Sequence, residues 1–268
     1  MRRTRPVGDA ARDPDDPVDR LVLERFAFEH PDPPRPTVVV VIPAYDEAST
    51  IAEVIKRVPA QLAGSPPLVV VVSDGSTDDT AAVARQAGAV VLETPINRGQ
   101  GATLRIGYQL ALRLGASIVG IVDADGQWDP ADLEVGVDLV NLGVATFAQG
   151  SRVLGSTTVG DSVRDLGVSV FARIVSFLIG QHVTDTSSGI RVLDAGLLAR
   201  LRLDQPQYQS AELLIAAATA GARIVEFPVV MVARRAGASK KGHNLRYGAA
   251  YAWVVARTVL RERWPHLW

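Results

Sequence analysis

In the stretch SIVGIVDADGQWDP, residues 117–130, an apolar run fit for a buried strand ends in two aspartates one residue apart, with a glutamine two further on. Positions i and i+2 of an extended chain face the same way, so Asp123 and Asp125 can converge while Ala124 packs elsewhere. Two like charges so close raise each other's cost, and a cation between them relieves it. Carboxylate and amide oxygens are hard ligands suited to Mg²⁺ or Mn²⁺, and such an ion keeps coordination positions for phosphate oxygens. The chemistry that Asp123, Asp125 and Gln127 would support is Lewis-acid stabilisation of a diphosphate leaving group.

Two other apolar runs end in polar residues. TVVVVIP continues into AYDE, giving Asp46 and Glu47, and LVVVVS continues into DGSTDDT, giving Asp74 and Asp79. Taken singly, Asp46 could merely introduce a helix start at Ser49/Thr50, and DGSTDD could be a turn whose acids cap a helix. Three such ends side by side weigh towards a shared site, because ligands of open α/β sheets gather beyond the carboxyl ends of the strands. Asp185 in DTSSG reads equally well as a general base or as a turn former.

The elements that must position these residues alternate in period. TVVVVIP, LVVVVS, AVVLE and SIVGIVDAD read as strands, and STIAEVIKRV, STDDTAAVARQAG, GATLRIGYQLALRLG and DPADLEVGVDLVN as the helices between and after them. Continuous Val/Ile runs suit strands covered on both faces, so the expected class is α/β with a mostly parallel sheet flanked by helices. Thr50 and Glu53 have capping-box spacing, Asp129–Pro130 is a helix start, and Gly88 and Gly221 stand where helices should stop. Beyond Gly150 the pattern loosens, leaving helices at DSVRDLGVSVFARIVSFLIG and AELLIAAATAG and a strand at ARIVEFPVVMV. Residues 1–36, with seven arginines and eight acids among repeated prolines, have a composition that buries little and read as a mobile arm or a clamp. Residues 37–242 form the expected catalytic domain, and 243–268 a basic amphipathic helix.

Composition narrows the functions. The chain has 268 residues, 47% of them hydrophobic, enough for one large core, and its formal net charge of −1 gives no argument for nucleic acid. The distribution is uneven, for from residue 233 to 268 eight basic residues face a single acid, Glu262. Absence of cysteine removes disulfides, thiolate metal sites and a thiol nucleophile, with a lean towards the cytoplasm. The arginines of MRRTRP lead into charged sequence rather than an apolar run, so no signal peptide is expected, and the two most apolar helices are too short and too interrupted to span a bilayer.

IPAYDE, VSDGSTDDT, NRGQGA, DADGQWDP, GSR, DTSSGIR and RRAGASK occur here in the order found in family 2 glycosyltransferases of the GT-A fold. The series, over roughly residues 37–242, most resembles the dolichyl-phosphate mannose synthase and polyprenyl-phosphate glycosyltransferase branch. The resemblance implies a donor nucleotide held by Pro43, Tyr45 and Glu47, with Asp74 near the base or ribose. It also implies a divalent ion on Asp123, Asp125 and Gln127, and phosphate contacts from Arg152 and Arg191. Arg234, Ser239 and Lys240 match the branch's late RxxGxSK pattern, which favours phosphate binding over a solvated basic surface. Asp46 stands where the family more often has asparagine and Gly126 where the branch usually has leucine; neither change removes an oxygen ligand.

The expected activity is therefore inverting, metal-dependent transfer of a hexose from a nucleotide diphosphate sugar, of the GDP-mannose or UDP-glucose type, to a polyprenyl phosphate. The alternatives are the same donor with a small soluble hydroxyl acceptor, for which Asp185 would serve as base, a sugar nucleotidyltransferase, and a non-catalytic nucleotide module. The glycines of NRGQGA fit a tight turn before a helix better than a phosphate cradle. A lipid acceptor also implies peripheral contact with an anionic membrane at its cytoplasmic face. Candidate contacts are Leu166, Val170, Phe171, Ile174, Phe177 and Leu178 on one helix, and Tyr247, Tyr251, Trp253, Val254 and Trp264 on the last.

Overall fold

The structure, a computed structural model, describes residues 16–158, 162–234 and 244–264. Seven strands form one sheet: β1 (Val38–Ala44), β2 (Leu68–Asp74), β3 (Val90–Thr94), β4 (Ile118–Val122), β5 (Phe147–Thr157), β6 (Ile190–Asp194) and β7 (Ile224–Met231). Their order is β3-β2-β1-β4-β6-β5-β7. Every pairing is parallel except the two made by β6, which runs against both β4 and β5. This is the expected GT-A type of α/β architecture.

Residue alternation explains the two layers. Val38, Val40 and Ile42 of β1 pack with Ile51, Val54 and Ile55 of α2 (Ile51–Arg57) and Leu133 and Val137 of α5 (Leu133–Asn141). Val39 and Val41 point the other way, into a core with Leu104, Ile106 and Leu110 of α4 (Gln100–Arg113). A strand buried on both faces cannot alternate apolar with polar, hence the unbroken valine runs. The remaining expected helices are α3 (Thr80–Gln86), α6 (Ser162–Ile179), α8 (Gln209–Thr219) and α9 (Asn244–Arg263), with a short α7 (Ala195–Leu198) after β6.

The N-terminal segment buries more than its composition suggests, and its described part docks as a clamp would rather than as a mobile arm. Pro17–Glu29 forms a helix, α1, started by Asp16, whose side chain accepts from the N–H groups of Val18 and Asp19, with Pro17 in the first turn. Val22, Leu23 and Phe26 are buried against the sheet. Asp19, 1% exposed, is paired with Arg98 at 2.7 Å, and Asp16 with the same guanidinium at 2.8 Å. Burial pushes the Asp19 carboxyl above the usual range despite that partner. Composition misled because three apolar side chains at helical spacing suffice to dock one face, whatever the charge on the others.

Two local expectations also change. Thr50 does not cap its helix; its hydroxyl donates to Glu47 instead, so no capping box forms. Asp129, by contrast, caps a single 3-10 turn at Pro130–Asp132. Gly88 and Gly221 end their helices with φ of 94° and 81°, where a side chain would be strained.

Candidate active site

The topology gathers the motifs at one edge. The carboxyl ends of β1, β2 and β4 are neighbours, and because β6 runs antiparallel its start lies beside the end of β4, Val122 opposite Ile190. The DTSSG loop therefore arrives at the DADGQ exit. The parallel pair β5 and β7 adds its own exits, carrying Arg152 and Arg234, to the same edge. A cleft of about 360 Å³ opens there, lined by Pro43, Tyr45, Glu47, Asp74, Asp123, Asp125, Gln127 and Arg234. Six of these are the residues expected to hold a nucleotide sugar, now side by side. Ser239 and Lys240 lie outside the described residues, and Arg152, Asp185 and Arg191 do not line the cleft.

Backbone geometry shapes the first wall. Asp46 has φ of 50°, a conformation that Asp and Asn tolerate best, and its carboxylate accepts from the Thr77 N–H at 2.7 Å. It ties the first strand exit to the second and does not line the cleft. Asp74 accepts from the N–H groups of Arg98 at 2.9 Å and Gly99 at 2.7 Å, so it fixes the NRG turn while forming part of the wall. Asp79 is exposed and makes no side-chain cap; Asp78 takes that work, accepting from the Thr80 N–H. At Gly99 and Gly101 an added Cβ would meet Pro206 O at 2.5 Å and Gln205 O at 2.0 Å. These glycines admit the 205–207 loop rather than a phosphate, and Gln207 thereby reaches the cleft.

Asp125 and Gln127 form the floor. The Asp125 Oδ1 accepts from the Gln127 N–H at 3.1 Å, and Oδ2 lies 2.8 Å from the Arg234 guanidinium. The Gln127 side-chain N–H donates to Val232 O at 3.2 Å, leaving its Oε1 to face the Arg234 Nε at 3.3 Å. Asp123 accepts from the Gln100 side chain at 2.8 Å. Gly189 of DTSSG is needed here, since a Cβ would fall 2.4 Å from the Asp123 carboxylate and 2.3 Å from the Trp128 indole nitrogen. Among the described residues no cluster of three or more His, Cys, Asp or Glu side chains could hold a metal. Two carboxylates and an amide oxygen nevertheless fit a divalent ion that takes its other ligands from phosphate, and the guanidinium on Asp125 shows that this spot holds positive charge.

Behind the cleft lies a buried ion pair. Asp185, fully buried, receives Arg152 Nε at 2.7 Å and Nη2 at 2.9 Å, while the Arg152 guanidinium sits 5.3 Å from the centre of the Trp128 ring. Burial raises the Asp185 pKa, but the hydrogen bonds and charge of Arg152, with the N–H groups of Ser187 and Arg152, together hold it below the usual carboxylate range. Asp185 is thus held by the Nε and Nη2 of Arg152, set back from the residues that line the cleft. Arg191, also buried, donates to Ser188 O beneath the cleft.

Glu226 was hidden in the sequence. It accepts from Thr184 N–H at 2.7 Å, Asp185 N–H at 3.0 Å and Gln149 at 3.1 Å, fixing the loop that carries Asp185. In VEFPVV a single acid reads as the solvent side of an edge strand, and nothing local marks it otherwise. Gln207 and Gln100 were equally silent. Trp128, between motif residues Gln127 and Asp129, was the one addition the sequence could have offered.

Comparison with known proteins places these features. The family model for glycosyl transferase family 2 matches residues 39–202. The polyprenol monophosphomannose synthase of Mycolicibacterium smegmatis is 32% identical over 238 residues, 83% of this chain and 89% of that one. The dolichyl-phosphate hexose transferase of Haloferax volcanii is 31% identical over 224 residues, covering 84% and 94%. Among solved structures, glucosyl-3-phosphoglycerate synthase from Mycobacterium tuberculosis, crystallised with Mn²⁺, UDP-glucose and glycerol 3-phosphate, superposes with a TM-score of 0.63 at 22% identity. The match covers 93% of this chain and 85% of that one. The chain belongs to glycosyl transferase family 2, and it is a glycosyltransferase.

Proposed function

We propose that this glycosyltransferase moves a hexose, with inversion, from a nucleotide diphosphate sugar to a polyprenyl phosphate. The observation that carries the acceptor half is the sequestered Asp185. A hydroxyl acceptor needs a general base near the anomeric carbon. Here the candidate carboxylate is fully buried and held in two hydrogen bonds by Arg152, and no histidine is among the described residues that line the cleft. A phosphate acceptor is ionised at neutral pH and needs none. The relatives named for polyprenyl and dolichyl phosphates support the same choice.

In this reading a phosphate oxygen of the acceptor attacks the anomeric carbon as the bond to the donor diphosphate breaks, and the nucleoside diphosphate leaves with the electron pair. Pro43, Tyr45, Glu47 and Asp74, which line the cleft, would hold the nucleotide. Asp123, Asp125 and Gln127 would hold Mg²⁺ or Mn²⁺, which when bound neutralises charge on the leaving diphosphate. The buried Arg152–Asp185 pair keeps the DTSSG wall in place against it.

The lipid acceptor requires the cleft to reach a bilayer surface. Among the described residues no helix is long and apolar enough to cross a membrane. Val170, Ile174 and Phe177 on α6, Trp253 and Leu260 on α9 and Trp264 just after it are exposed, Phe177 at 88% and Trp253 at 66%. The two helices meet through Phe171 and Tyr251, and the Tyr251 hydroxyl donates to Thr186 O at 3.2 Å, so the pair abuts the loop that walls the cleft. Exposed aromatic and aliphatic side chains on such helices suit the bilayer interface.

Incubation with labelled GDP-mannose or UDP-glucose, offered polyprenyl phosphate in vesicles or a small soluble hydroxyl acceptor, tests the reading. Label should enter the lipid phase with inverted anomeric configuration by NMR. Label found only in a soluble glycoside would refute the lipid acceptor, and retained configuration would refute the direct displacement.

A further inference from the structure

We infer that Arg234 is a built-in cation that occupies the metal position of the donor-free protein and leaves it only when the donor diphosphate offers a better partner. The inference rests on the metal-dependent reading above and deepens it. Of the two oxygens of Asp125, Oδ1 is already engaged by the Gln127 N–H at 3.1 Å. The remaining ligand oxygen, Oδ2, carries the Arg234 guanidinium at 2.8 Å, and the Gln127 Oε1 faces the same side chain at 3.3 Å. Two of the three atoms that a divalent ion would need are thus turned to an arginine. Guanidinium and metal compete for one pair of oxygens and repel each other when close, in a site where the Asp125 side chain is only 9% exposed and poorly screened.

The surroundings let Arg234 move without disturbing the sheet. Val232 N–H bonds Gln127 O at 2.9 Å and Ala233 N–H bonds the Thr158 hydroxyl at 3.3 Å, so the main chain is held up to the residue before it. Beyond that point a long side chain, 22% exposed, can rotate within the cleft. A diphosphate entering the cleft presents oxygens that a planar guanidinium grips in bidentate fashion more strongly than one carboxylate oxygen and an amide. Metal and nucleotide binding then become coupled through Arg234: the nucleotide draws the arginine off Asp125, and the vacated oxygens accept the ion. In the absence of nucleotide the acidic exits are neutralised internally, and free divalent cations are held weakly.

Titration of the full chain with Mn²⁺, followed by the EPR signal of free Mn²⁺, tests this without reference to turnover. It is run with and without UDP or GDP. For Arg234→Ala and the neutral, similarly shaped Arg234→Gln, Mn²⁺ should bind about tenfold more tightly than in wild type when nucleotide is absent, a magnitude typical of coupling between sites. With nucleotide present the same variants should bind Mn²⁺ more weakly than wild type, because the diphosphate has lost its guanidinium. Arg234→Lys, which keeps the charge, should restore weak binding in the absence of nucleotide. Thermal melts of each variant confirm that it is folded. If Mn²⁺ binding depends on Asp125 but its affinity without nucleotide is the same in wild type, Arg234→Ala and Arg234→Gln, Arg234 is not the occupant and the inference is overturned while the metal-dependent reading stands. If wild type binds no Mn²⁺ with either nucleotide, the metal reading itself fails and takes this inference with it.

Discussion

Asp185 shows how much of a carboxylate's role a motif leaves open. Its neighbours Thr, Ser and Gly suit a turn and its carboxylate a base; only tertiary structure reveals the bidentate pairing with Arg152. The sign of its titration follows from that pairing. Because the folded pKa is lowered, the group contributes stability that is present above the ordinary carboxylate value of about 3.9 and is lost as pH falls through the lower folded value. Asp185→Asn should therefore lower the melting temperature at pH 7, since breaking a buried pair costs about 3 kcal/mol or more. The gap from wild type should narrow in melts recorded below about pH 4. Activity of the variant should fall without loss of an acidic limb, and disappearance of such a limb would restore Asp185 as a base.

At the scale of elements, the sequence was clearest where burial demanded monotony. Strands β1 to β4 and the helices between them follow from valine runs and 3.6-residue periods, and their polar exits gave the cleft residues. It was least clear where polar residues are buried in compensated networks. FAQGSR and IRVLD do not look like core strands, because Gln149, Arg152 and Arg191 interrupt them, yet all three are buried in β5 and β6. Helix α1 was missed for the mirrored reason: its start signal, Asp16–Pro17, has the same form as Asp129–Pro130 but lay in a charged, proline-rich segment. That helix reaches the site through Arg98, whose N–H, with that of Gly99, is held by Asp74. Asp19→Ala leaves the largely buried Arg98 guanidinium with Asp16 as its remaining ion-pair partner, so a loss of about 1–3 kcal/mol in stability is expected. Donor affinity, measured by calorimetry, should weaken as well; unchanged affinity would mean that α1 only braces the sheet.

For the whole molecule, the proposed lipid acceptor raises the question of what would present the cleft to it. The basic C-terminal segment suggests electrostatic attachment, and among the described residues one of its arginines is engaged elsewhere. Arg261 is 2% exposed, bonded to Glu212 at 2.7 Å and Asp204 at 3.0 Å, so it anchors α9 to the body instead of meeting a headgroup. Tyr251 and Val254 are buried too, whereas Phe177 and Trp253 remain outside. The proposed attachment should accordingly depend on apolar insertion more than on the described charges. Burying one large apolar side chain is worth about 1.5–3 kcal/mol. Phe177→Asp combined with Trp253→Asp should reduce co-sedimentation with anionic vesicles at least about tenfold while leaving nucleotide binding intact. Full retention of vesicle binding would exclude this face.

The central claim, that strand-end carboxylates carry a metal-assisted hexosyl transfer to a lipid phosphate, is tested most directly by one assay. Wild type and Asp125→Ala are given the same labelled nucleotide diphosphate hexose and polyprenyl phosphate, each with Mn²⁺ or with excess chelator, and label in the organic phase is counted. The account predicts lipid-linked label only for wild type with metal, and a loss in the variant of at least about a hundredfold, several kcal/mol of transition-state stabilisation. Equal label in chelator, or an Asp125→Ala enzyme with wild-type turnover, would contradict it.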